Sequence, residues 1–152
     1  MKKPLRFTVL LLGLFLSMFP LGEARQLSLR LHPPSVNFPD ADPDQVSVVQ
    51  AGERVMLELE VGGSAAEWRL TVLSLGDLQS DAGAIPIQNV SWRVSPSPPF
   101  FNGTLNSVQP QLLGQGYGPV KAAAQIDFFL QNRWEYSPGT YSQILLFTLA
   151  SP

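Results

Sequence analysis

From residue 26 onward the apolar positions fall mostly on every second residue. Leu27, Leu29 and Leu31 alternate with Gln26, Ser28 and Arg30, and Val55, Leu57, Leu59 and Val61 alternate with Arg54, Met56, Glu58 and Glu60. Side chains of an extended chain point to opposite faces in turn, so this period predicts strands with one buried and one wet face. Trp68, Leu70 and Val72 continue it, with a shift of phase at Leu73 and Leu75. Ile85 and Ile87 lead to Val90, Trp92 and Val94 after a slip at Gln88-Asn89, which reads as a bulge. Val46 to Val49 is a short further strand.

"KAAAQIDFFLQ" (121–131) carries two conflicting signals. Its alanines favour helix, whereas Ala122, Ala124, Ile126, Phe128 and Leu130 alternate with their neighbours. The alternation decides for a strand. Turn signals separate the runs at His32-Pro33-Pro34, Asp40 to Asp44, Ala51-Gly52, Gly62-Gly63, Gly76-Asp77 and Asp81-Ala82-Gly83. "SPSPPFFNGT" (95–104) and "GQGYG" (114–118) read as loops. About seven to nine short strands and no strong helix predict an all-β fold, an immunoglobulin-like antiparallel β-sandwich.

The closing stretch "YSPGTYSQILLFTLASP" (136–152) begins with a Ser137-Pro138-Gly139 turn signal. Thr140 to Ala150 then reads as a strand with Tyr141, Leu145, Phe147 and Leu149 on one face. Ile144 and Leu146 make the middle of its other face apolar as well, the mark of a strand inside a sheet or against a partner. It is too short for a membrane helix, which needs roughly 20 apolar residues.

The N-terminus follows a different pattern. Lys2, Lys3 and Arg6 precede an apolar run from Phe7 to Phe19, and Gly22-Glu23-Ala24 puts small residues where a leader is cut. This is the layout of a secretory signal peptide over residues 1–24, leaving 25–152 as a single β-sandwich domain. Residues 1–24 hold three basic residues and one acidic, so 25–152 keep seven basic and eleven acidic, a net charge of −4. Lys121 is the only lysine left. A mildly acidic, lysine-poor surface argues against nucleic acid and anionic membranes, which reward clustered cations. No integral membrane segment is expected once the leader is removed. The chain has no cysteine, which excludes disulfides, thiol catalysis and cysteine-bound metals.

Candidate chemistry is sparse. Asp40, Asp42 and Asp44 stand at alternate positions as in calcium loops, but the Gly and Glu that an EF-hand needs are replaced by Gln45 and Ala51. A solvated acidic loop is the plainer reading. His32 is the single histidine and no GxSxG accompanies it, so neither a hydrolase triad nor a multi-histidine metal site is indicated. Asp127 and Glu135 lie near aromatics and leave paired-carboxylate glycosidase chemistry open, since the sequence does not give their separation in space; surface charge beside core aromatics is the plainer reading. Gly114 to Gly118 lacks the Lys-Ser/Thr of a phosphate loop. Asn89-Val90-Ser91 and Asn102-Gly103-Thr104 match the N-glycosylation pattern. No catalytic residue, metal site or cofactor is expected. Trp68 and Trp92 fit the inward phase of their strands. Trp134 and Tyr136 flank a loop and are the candidate ligand-binding rings, suited to stacking on a sugar.

At "WRLTVLSLGDL", "AIPIQNVSWRV" and "YSPGTYSQILLFTLASP" the chain resembles bacterial exported pilin-like β-sandwich proteins, a group including spore coat protein U-like and fimbrial subunits. The shared marks are a Trp-led strand from Trp68, the Ile85-Pro86 step before Trp92, and Gly139-Thr140-Tyr141 ahead of an apolar last strand. The resemblance implies an exported, non-enzymatic structural or adhesive protein of the periplasm or cell surface, a subunit of a surface or pilus-like assembly. It implies protein partners or self-assembly by strand addition. Gln26 to Leu31 is then either a donated strand or an ordinary first strand, and the second reading is the simpler. The alternative is an extracellular glycan-binding or glycan-active domain using Trp134 and Tyr136.

Overall fold

The computed structural model describes residues 10–15, 26–63 and 67–151. It is an all-β sandwich. One sheet of five strands runs in the order β11 (Gln111–Tyr117), β6 (Glu67–Ser74), β13 (Gln143–Ala150), β1 (Leu10–Phe15) and β3 (Ser35–Val36). The other runs β10 (Gly103–Thr104), β9 (Val90–Ser95), β12 (Val120–Gln131), β5 (Val55–Val61) and β2 (Leu27–His32), with β4 (Val48–Gln50) also on β12. β7 (Leu78–Ser80) and β8 (Gly83–Ile85) form a separate hairpin. Eight strands have six residues or more, within the expected number, and the others are two- or three-residue pieces.

The period-two runs place the core. Val55, Leu57, Leu59 and Val61 of β5 are all buried, as are Trp68, Leu70 and Val72 of β6 and Leu145, Phe147 and Leu149 of β13. Their sheets close over one another, and Trp68 meets Phe100 at 6.3 Å between ring centroids. The alanine-rich segment is part of β12, the longest strand, with Ala124, Ile126, Phe128 and Leu130 inward. It pairs with β5 on one side and β9 on the other, so tertiary pairing outweighs the alanines' helix preference.

Three sequence expectations change. The phase of β6 does not slip: Ser74, 1 % exposed, takes the inward place, while Leu73 is half-buried and Leu75 exposed. A buried hydroxyl is tolerable there because Ser74 Oγ donates to the Gly76 carbonyl at 2.6 Å. The slip at Gln88-Asn89 is a 3-10 turn over Ile87–Asn89, not a bulge. "GQGYG" belongs mainly to a strand, β11, whose glycines leave room for the rings of Trp68 and Phe100. A bulge does occur in β11, between Leu112 and Gly114, and it lets Leu113 turn fully inward.

Leu27 to Leu31 of the Gln26–Leu31 segment lie in β2, which pairs antiparallel with the protein's own β5 over six residues. The expected leader is described only in part. Its basic region, residues 16–24 and the cleavage site lie outside the described residues, while Leu10–Phe15 forms β1 and pairs parallel with β13. Among the described residues no helix is long and apolar enough to cross a membrane.

Candidate functional site

The sugar-binding expectation rests on the loop after β12. Asn132, 5 % exposed, clasps the acidic loop there: its side-chain amide donates to the carbonyls of Ala41 (3.2 Å) and Val46 (3.0 Å). Its own N–H reaches the Ser47 carbonyl at 2.8 Å. Two residues on, Trp134 is half exposed and its Nε1–H donates to Asp44 Oδ1 at 2.8 Å. Asp42 Oδ1 in turn accepts from the Asp44 N–H at 2.9 Å. Two carboxylates of the acidic loop are thus engaged in holding it, and the described residues contain no cluster of three metal-ligating side chains.

Tyr136 departs from the exposure expected of it. It is 9 % exposed, its hydroxyl is buried without a hydrogen-bond partner, and burial pushes that hydroxyl's pKa above the usual tyrosine value. The structure therefore brings Trp134 to the surface beside Asp44 and takes Tyr136 inward. The sequence could not separate them, because a Trp-x-Tyr spacing in a loop carries no inside–outside period.

The other candidates stand apart. Asp127 on β12 is held by Arg54 Nε at 2.8 Å, and Glu135 lies 3.4 Å from Arg133. His32 is exposed at the end of β2. No nucleophile, base and orienting group are assembled around it among the described hydrogen bonds.

The two outer sheet faces differ sharply. On the six-stranded sheet, Arg54 pairs with Asp127, Lys121 with Glu60 at 3.1 Å, and Arg93 lies over the Phe129 ring at 5.2 Å. A depression of about 360 Å³ on that face is lined by Ser28, Arg30, Glu58, Glu60 and Lys121, with Ala123 as part of its floor. This is a solvated, charge-paired face.

The five-stranded sheet is apolar at its middle. Leu146 stands opposite Leu73, and the Leu75 N–H donates to the Ile144 carbonyl at 3.0 Å. Leu75 is 55 % and Ile144 36 % exposed, with Leu73 and Leu146 half-buried between them. The doubly apolar character of the last strand is thereby resolved: Leu145 and Phe147 fill the protein's own core, and Ile144 and Leu146 join an outward strip. The sequence signal for this strip was the apparent phase shift at Leu73 and Leu75. No family model matches the chain, and no curated protein matches it.

Proposed function

We propose that this is an exported, non-enzymatic structural or adhesive β-sandwich protein, a subunit of a surface or pilus-like assembly that works by binding other proteins. The observation that carries this reading is the outward strip of Leu73, Leu75, Ile144 and Leu146 on one sheet, beside the charge-paired face of the other. Clustered exposed aliphatics mark sites of protein contact. Fractionation of cells making the full chain, with N-terminal sequencing of the product, tests export: a cut product outside the cytoplasm is expected, and an uncut cytoplasmic chain refutes export. Size-exclusion chromatography of that product against Leu75→Lys/Ile144→Lys tests the contact. Association of the parent and a monomeric variant are expected, whereas a concentration-independent monomer in both removes the assembly reading.

A second reading, an extracellular glycan-binding domain, is favoured only by Trp134, whose ring is half exposed and tethered by Asp44. Tyr136 lends it no surface. Glycan-array binding lost in Trp134→Ala is its expected sign; no binding, or binding unchanged by the substitution, dismisses it.

A further inference from the structure

Residues 25–152 contain one histidine, His32, and one methionine, Met56. The fold sets the two directly opposite each other. His32 of β2 is the cross-strand partner of Met56 on β5, the last pair of their antiparallel register. Opposed residues of an antiparallel pair project from the same face of the sheet, with β-carbons about 5 Å apart. Both side chains therefore stand on the outer face of the six-stranded sheet, where His32 is exposed and Met56 is 41 % exposed. Among the described residues neither side chain takes part in a hydrogen bond or an ion pair. Met56 is the one apolar residue among the outward positions of β5, ahead of Glu58 and Glu60.

An imidazole nitrogen and a thioether sulfur are both neutral donors, and together they discriminate among cations. Calcium and magnesium take oxygen ligands. Zinc sites are normally built from about three or four protein ligands, and no group of three His, Cys, Asp or Glu stands together among the described residues. Cu(I) is the soft ion that a thioether selects and that an imidazole also suits. The chain has no cysteine, so no thiolate of its own competes with Met56 for such an ion. The surroundings admit a positive charge. Arg54, two residues before Met56, is neutralised by Asp127 at 2.8 Å and donates to Gln125 Oε1 at 3.1 Å. Gln125, the neighbour of Met56 on its other side, is thereby turned to Arg54. Arg30 and Glu58 form the next opposed pair and offset one another in charge. β2 is the outer strand of its sheet, so the pair is open to solvent on the His32 side.

We propose that His32 and Met56 form a two-donor binding site for Cu(I), the imidazole of β2 and the thioether of β5 closing on one ion from adjacent strands. The site goes beyond the assembly reading and does not depend on it.

The test uses the full chain carrying Met18→Leu, so that Met56 and the initiator Met1 are its only sulfurs. The probe is Cu(I), offered without oxygen from a coloured Cu(I) chelator, with Ag(I) as a redox-silent stand-in. A single Cu(I) should be taken up per chain. Ag(I) should shift the isotope-labelled methyl signal of Met56 and the ring signals of His32, and the copper X-ray absorption spectrum should show one sulfur and one imidazole neighbour. Met56→Leu and His32→Gln should each weaken uptake by about tenfold or more, since even the loss of an outer-shell partner costs a metal site roughly 10–100-fold. Both positions are exposed, so these variants should keep the circular dichroism and melting temperature of the parent. The exchange variant His32→Met/Met56→His keeps both donors across the same pair and should bind like the parent. No uptake, uptake indifferent to either single substitution, a spectrum without sulfur, or loss of binding in the exchange variant overturns the proposal. Tighter binding of Zn(II) than of Cu(I) overturns it as well, because it marks a site of nitrogen and oxygen donors.

Discussion

The indole of Trp68 lies across Gly116, its cross-strand partner on β11, so closely that a β-carbon there would stand 2.7 Å from Nε1. Trp92 does the same to Gly103 on β10. In both sheets a buried tryptophan thus covers a glycine of the neighbouring edge strand, an arrangement that places a large ring where a side chain would otherwise project.

Gly116→Ala should therefore cost about 1–3 kcal/mol of stability, the usual penalty for overpacking a filled site. Trp68 is 2 % exposed and has little room to yield. Gly52→Ala, whose added carbon meets the Asn37 carbonyl oxygen at an ordinary 3.7 Å, should stay within about 0.5 kcal/mol of the parent. Urea unfolding of the two variants checks this; equal midpoints would contradict the packing argument.

Tyr136→Phe should be neutral or stabilising at pH 7, by up to about 1–3 kcal/mol, because it removes a buried hydroxyl that has no partner. The alkaline limb should change as well. Burial raises the folded-state pKa of this hydroxyl above its usual value of 10.0. The contribution is therefore fully present below pH 10 and lost as pH rises through the folded pKa. Thermal melts from pH 7 to 11 should fall less steeply in the variant; a lower melting temperature at pH 7 would show that the hydroxyl has a partner.

Glu53 supplies the acid-side counterpart. The side-chain amide of Asn37 donates to Oε1 at 3.0 Å and its backbone N–H to Oε2 at 2.6 Å, and these bonds hold the carboxyl below its usual pKa of 4.5. A depressed folded-state pKa contributes stability that is present above pH 4.5 and is lost as pH falls through the folded value. Glu53→Gln should thus lose less of its melting temperature between pH 6 and pH 3 than the parent. Parallel melting curves over that range would remove the assignment.

The sandwich was legible because its signal is local. Period-two runs such as Val55 to Val61 specify a strand, its buried face and its wet face without reference to any neighbour. The same alternation carried Lys121 to Gln131 past its alanines. The lack of cysteine and the scattered cations likewise followed from composition alone. What failed locally depended on distant partners. Gly114 to Gly116 looked like a loop because nothing nearby in sequence shows the rings of Trp68 and Phe100 that require them. Tyr136 and Trp134, two residues apart, part company because a strand's inside and outside end where its ladder ends.

The sequence by itself determined the strands whose side chains alternate, their inner faces and the apolar character of the closing segment, because these are properties of backbone geometry and side-chain polarity read one residue at a time. Only the tertiary structure decided which strands lie side by side. It set Leu10 to Phe15 against β13, gathered Leu73, Leu75, Ile144 and Leu146 into one strip, and kept Leu27 to Leu31 within its own sheet. Pairing joins residues more than a hundred positions apart, and its free energy belongs to both edges at once, so neither edge's sequence states it alone.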